Sequence, residues 1–344
     1  MPDLPARPDL GQLRHQAKDL LSAARGGDAE ALGRIQRVSA RVILASAQLA
    51  IAREYGFSSW PALKLEVERR EILNRRELRG LERLLAEDPA VAVRRMEHWC
   101  DHPRGVPPLG YVAMLRFDAP RLGLPPIRSG TAAVARALVE AGAPVNGEPW
   151  EKETPLITAA SYGDAEVARV LIAAGADLDA RAAPDAGGVP GGTALLHAAV
   201  FGMTEVLDVL VAAGARVQSL EEAAAAGDVG GWLDGDSPLQ ARIRALVMAA
   251  DHERLGVSDA LLQAGTPIDA NDEQWGRQAL RVAAQNGRVA SVMHLLERGA
   301  DPTVRDPERD WTALDWCREA RRGATDRPAH DQVETLLRPL TATR

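Results

Sequence analysis

Apolar residues recur along most of this chain at helical spacing, three or four positions apart, in short runs that each stop at a glycine. The stretch from Thr154 to Ala180, TPLITAASYGDAEVARVLIAAGADLDA, shows the pattern most fully. Thr154 is placed to cap a helix through its hydroxyl, and Pro155 takes the first helical position, where a missing N–H costs nothing. Ala159 and Ala160 are small enough to let a neighbouring helix approach closely. Gly163 ends that helix, Asp164 caps the next, and Val167, Val170 and Leu171 form its apolar stripe. Gly175 stops the second helix and releases the chain into an extended loop. The predicted element is a pair of short antiparallel helices, which cannot cover both of its apolar faces without copies of itself on either side.

Copies follow. Stop glycines recur at Gly142, Gly175, Gly214, Gly265 and Gly299, separated by 33, 39, 51 and 34 residues, a 33-residue period with insertions. TALLHAAVFGMTEVLDVLVAAGARVQ at 193–218 and QALRVAAQNGRVASVMHLLERGADPT at 278–303 are clear. Weaker copies are PPLGYVAM with TAAVARALVEAGAPVN, ALVMAADHERLGVSDALLQAGTPIDA, and WTALDWCREA with VETLLRPL. The pattern resembles that of the ankyrin repeat family, GxTPLHxAAxxGHxxVVxxLLxxGADVNA, over roughly residues 105 to 340. The resemblance implies an all-α solenoid of six or seven helix-pair repeats, some degenerate. The expected organisation is an N-terminal helical head at 1–75 and a repeat array at 76–340, with insertions at 116–130, 181–192 and 228–240. The glycine-rich second insertion has neither GxGxxG nor GK[ST] spacing, and reads as a flexible loop. The third follows SLEEAAAAGD, which reads as a first helix whose partner is missing, with Trp232 in the loop; an insertion inside one repeat fits as well.

Within the head, helices are expected at 10–25, from Asp28 through Ile35, at about 44–55, and from a Ser58 or Ser59 cap through Ile72. SAQLAIAREYGFSSWPALKLEVERR is similar to leader modules that precede bacterial ankyrin arrays. It also fits a helix-turn-helix skeleton through Gln48, Ala52 and Gly56. Glu66, Glu68 and Glu71 on its second helix would repel phosphates, so a cap burying Tyr55, Phe57 and Trp60 is the stronger reading and DNA binding through the head ranks third.

Net charge is −7 and the signs are interspersed, which disfavours nucleic acid and anionic membrane as partners. No signal-peptide pattern and no apolar run of about 20 residues is present, so a soluble cytoplasmic protein is expected. Cys100 and Cys317, far apart in the expected stack, read as reduced thiols. Lys18, Lys64 and Lys152 are the only lysines among 41 basic residues, a bias like that of GC-rich bacterial coding. EHWCDHPRG, at 97–105, is the densest set of metal-ligand types, but no second cluster completes a tetrahedron, and no metal and no cofactor is assigned.

By resemblance, ankyrin arrays bind at hairpin tips and on the exposed face of the inner helix. Trp150, Tyr162, Phe201, His252, Trp275, Asn286 and Trp311 fall there, and aromatics make up only 4% of the chain. Their concentration predicts a concave contact face for another protein, with no catalytic residue assigned. The alternative is a small-molecule-binding protein or enzyme, its pocket closed by the insertions and lined by Tyr111, Asp118, His197 and Glu221. His197 as a general base would need a carboxylate or hydroxyl partner, and none is evident in the sequence. The histidine of the family's TPLH motif is replaced by Gly110, Ile157, Leu196 and Arg281. In the family that histidine links hairpins, so its loss predicts weaker local rigidity.

Overall fold

The computed structural model describes residues 4–5, 7–96, 105–324 and 327–341. Among these there are eighteen α-helices and no strand, so the fold is the expected all-α repeat solenoid. The chain divides into two compact units, Met1–Gly147 and Glu148–Arg344.

The first unit contains α1 (Leu10–Arg25), α2 (Ala29–Gln36), α3 (Leu44–Glu54), α4 (Trp60–Arg75), α5 (Leu78–Glu87), α6 (Pro108–Asp118) and α7 (Thr131–Glu140). Side-chain caps start three of them: Asp9 accepts from the Gln12 N–H, Asp28 from Ala31 and Ser59 from Ala62. Leu13, Leu20, Ile35, Ala47, Phe57 and Leu63 form the core of α1 to α4, with Tyr55 and Trp60 packed at its edge. On α4 the charges divide in a way the helical pattern conceals. Glu66, Arg69 and Arg70 are buried, with Arg70 Nε 2.9 Å from Glu66 Oε1 and Arg69 bonded to Glu66 and to the Arg95 carbonyl. Arg69 and Arg70 therefore satisfy one interior carboxylate, and Glu66, read as one of the residues repelling phosphates, does not reach the surface. Exposed Glu71 pairs with Arg75 at 2.6 Å. The helix pair α6 and α7 flanks the first insertion, the first three residues of which continue α6.

The second unit contains α8 (Pro155–Tyr162), α9 (Ala165–Ala173), α10 (Ala194–Val200), α11 (Thr204–Ala212), α12 (Leu220–Ala226), α13 (Leu239–Asp251), α14 (Leu255–Gln263), α15 (Ala279–Gln285), α16 (Val289–Glu297), α17 (Ala313–Gly323) and α18 (Arg327–Thr341). Helices α8, α10, α12, α13, α15 and α17 contact one another in turn as an inner row. Thr154 and Asp164 cap α8 and α9 through their side chains, and Gly163 takes the left-handed conformation between them, φ +74°. Helix α12 has no outer partner: after Gly227 the chain runs as a loop to Leu239, carrying exposed Trp232.

The glycine-rich segment 181–192 is folded back rather than left loose. Arg181 and Thr193 form an antiparallel bridge, the Ala182 N–H bonds to the Gly192 carbonyl at 2.9 Å, and the Ala183 N–H bonds to the Lys152 carbonyl at 2.7 Å. The reading of this loop as flexible overlooked these backbone bonds, which composition does not encode. The metal-ligand types of 97–102, Cys100 among them, lie outside the described residues. Among the described residues no helix is long and apolar enough to cross a membrane.

Candidate functional site

Two hairpin tips in the second unit share one construction. In 272–277 the Asp272 carboxylate accepts from the backbone N–H of Gln274, Trp275 and Arg277 at 2.7–3.0 Å. In 306–311 Asp306 accepts in the same way from Glu308, Arg309 and Trp311, and also from the indole N–H of Trp316 at 2.8 Å. Burial pushes the Asp306 carboxyl up, but these donors outweigh it and hold the group below its ordinary value. Each tip closes with a residue at positive φ, Gly276 in the first and Asp310 in the second.

Between the tips and the inner helices lies a groove of about 350 Å³, lined in part by Phe201, Trp275, Arg277, Arg281, Asn286 and Trp316. Arg277 stacks over the Trp275 ring at 5.4 Å, and Arg309 lies over Trp311 and Trp316 at 5.0 and 5.1 Å. Arg281 occupies the place of the family's hairpin-linking histidine, but its hydrogen bonds stay within its own hairpin. It is buried, and its Nη2 donates to Asn271 Oδ1 and to the Gly276 carbonyl, both at 2.5 Å. Its Nη1 has no acceptor among the described residues.

The floor of the groove is the end of α10, whose last carbonyls are taken by distant donors. His252 Nε2 lies 2.9 Å from the Ala199 carbonyl, Arg277 Nη1 donates to Val200 at 2.8 Å and Arg288 Nη2 to Gly202 at 2.6 Å. The turns that end α10 and α13 meet directly.

The expected contact residues separate on inspection. Trp150 and Trp275 are exposed at 48% and 37%, Asn286 is exposed and donates to Asp251 at 2.8 Å, and Tyr162, Phe201 and Trp311 are half-buried. Phe201, Trp275 and Asn286 share the groove. His252 does not reach the surface: it is 2% exposed, and its Nδ1 faces the Thr204 hydroxyl at 2.9 Å, so it locks two turns together. A carbonyl oxygen only accepts, so Nε2 carries the proton in the neutral ring. His197 repeats the arrangement, with Ser161 Oγ 2.8 Å from Nδ1 and the Val189 carbonyl 3.0 Å from Nε2. The hydroxyl partner missing from the sequence reading is thus Ser161. Burial pushes both histidines below their ordinary value. Recurrence of one geometry at two repeats, both rings inside, marks it as a structural lock.

The residues of the alternative pocket belong to different units of the chain. Tyr111 and Asp118 are buried in the first unit, where the Tyr111 hydroxyl donates to Asn74 Oδ1 and Asp118 lies 3.5 Å from Arg121. His197 and Glu221 belong to the second, where Glu221 pairs with Arg244 at 2.7 Å. Sequence reasoning missed Arg277 and Arg281 as groove residues. The available signal was a charged residue at an inward position of ALRVAAQ.

Family comparison agrees with the geometry. Residues 127–221 match a model described as ankyrin repeats in three copies, and residues 261–317 match one described as ankyrin repeats in many copies. Among solved structures, the chain is similar to the ankyrin repeat domain of human ASB11, with 22% identity over 78% of this chain and 96% of that one, and a TM-score of 0.37. No match is found among curated proteins. Two matched stretches, a 33-residue period and a row of stacked helix pairs place ankyrin repeats at residues 127–221 and 261–317 of this chain.

Proposed function

We propose that this chain is a non-catalytic scaffold that holds another protein in the groove of its second unit, with Trp275, Phe201 and Asn286 as contact residues. Ankyrin repeats generally mediate protein–protein interaction. The observation that carries the reading is the groove itself: an exposed indole and an exposed amide beside a half-buried phenyl ring, on a rigid floor. Aromatic side chains of this kind give large contact area at small entropic cost. Trp150, exposed on the loop that leads into α8, extends the face.

The test places a photo-crosslinking amino acid at position 275 and, separately, at position 293 on the outer helix α16, where Met293 is 45% exposed. Crosslinking in the source cell is expected to join one protein at position 275 and none at position 293. The Trp150→Ala/Trp275→Ala variant, folded by its circular dichroism, is expected to lose that protein from a pull-down. Equal crosslinking at both positions, or none, removes the assignment of the face.

A further inference from the structure

The groove also specifies the chemistry of what fits it. This inference rests on the reading of the groove as a protein-binding face. Loops 174–193, 213–219, 264–278 and 298–312 each begin where an outer helix ends and finish where the next inner helix begins, so they gather along one edge of the second unit together with 148–153. They contain thirteen Asp and Glu against seven Lys and Arg. That excess of six is most of the excess of the whole chain, 48 acidic against 41 basic residues, so the rest of the sequence is close to balanced. Exposed Trp150 and Trp275 stand on the same loops. One face of Trp275 is covered by Arg277, and exposed Glu273 and Glu308 rise from the two tips that bound the groove.

A second observation concerns Arg281, 4% exposed, lining the groove and holding one guanidinium nitrogen without an acceptor. Leaving a buried donor unpaired is costly, so an oxygen supplied from outside is favoured there. A carboxylate would meet Asp272, Asp306 and Glu308, whose charges already act on Arg281. An uncharged carbonyl oxygen completes the guanidinium without that repulsion.

We infer that the groove takes an extended, basic segment of a partner protein, its backbone carbonyl accepting from Arg281 and its Lys or Arg side chains lying against Trp275, Glu273 and Glu308. Cation–π contact and opposite charge act together on such a side chain.

The probe is a random dodecapeptide phage library panned on the immobilised full chain, with enriched peptides synthesised and measured by fluorescence anisotropy. The expected peptides have net positive charge and one fixed Lys or Arg. Their affinity falls at least tenfold in Trp275→Ala and in Glu273→Gln/Glu308→Gln. It changes less than twofold in Glu205→Gln/Glu297→Gln, which removes the same charge from outer helices α11 and α16. Arg281→Lys, which keeps the charge but loses the forked donors, weakens binding without steepening its salt dependence. Equal loss in the two charge-matched variants shows general attraction to an acidic protein and overturns the proposal. Enrichment of neutral or acidic peptides also overturns it, while leaving the groove as a protein-binding face. No enrichment over a bare support removes both.

Discussion

Asp272 and Asp306 are the same device in successive repeats. Each carboxylate accepts from three backbone N–H groups of the five residues that follow it, and each residue's own N–H donates to the carbonyl five positions on, at 2.9 Å in both. Asp306→Ala leaves those donors and the Trp316 indole unpaired, and hydrogen bonds to a charged group contribute about 1.5–3 kcal/mol each. Its urea midpoint is expected to fall by more than that of Asp272→Ala, which lacks the indole. Asp306→Asn, which retains one acceptor oxygen, should fall between Asp306→Ala and wild type.

The last turn position of the two tips differs only in residue type. Asp310 adopts φ +59° where the first tip has Gly276 at φ +63°. A non-glycine residue in this region costs of the order of 1 kcal/mol, and the Arg305 ion pair at 3.3 Å, with both side chains exposed, offsets little of it. Asp310→Gly is therefore expected to raise the thermal midpoint slightly, and Gly276→Ala to lower it. A lower midpoint for Asp310→Gly would show that Arg305 matters more than backbone strain.

Protons discriminate between the folded and unfolded chain at His197 and His252. Burial depresses both in the folded state, so between the folded value and the unfolded value, about 6.5, the unfolded chain binds more protons. Stability from this source is present above that pH and is lost as pH falls through the folded values. Urea midpoints measured from pH 7.5 to 5 should decline, and the decline should be shallower in His252→Gln. An unchanged slope in that variant would assign the acid sensitivity to other groups.

The Cys317 thiol is fully buried, and burial pushes it up to about 11. Its sulfur faces the His330 carbonyl at 3.4 Å. Thiolate is the reactive form, so iodoacetamide at pH 8 should leave the Cys317 peptide unmodified in the native protein and modify it fully in 6 M guanidinium. Native modification at a comparable rate would place that thiol in frequent contact with solvent.

The sequence makes the local devices legible, because a cap or a stop involves residues three or four apart. Thr154, Asp164 and Gly163 stand where the pattern TPLITAASYGD puts them, and Ser59 caps α4 as its position implies. The sorting of α4 into buried Arg69 and Arg70 and exposed Glu71 is not visible in the same way, because helical periodicity gives a face and not the identity of what packs on it. The groove needed more still. Arg277 meets Val200 across 77 residues and Arg288 meets Gly202 across 86, and nothing in either local sequence encodes the partner. His252 looked like a contact residue because its position in the repeat is usually outward. Instead its ring bonds to the Ala199 carbonyl and the Thr204 hydroxyl, about 50 positions earlier, which local sequence does not encode.

Those two arginine bonds bear on how the chain comes apart. Where every repeat touches only the next, an array loses its terminal units one after another, each with its own modest free energy. Arg277 and Arg288 fasten the α15 repeat to the end of α10, past α12 and α13, so opening anywhere between releases bonds on both sides at once. Residues 199 to 288 should then exchange their amide hydrogens as one cooperative block, while α17 and α18 fray ahead of it.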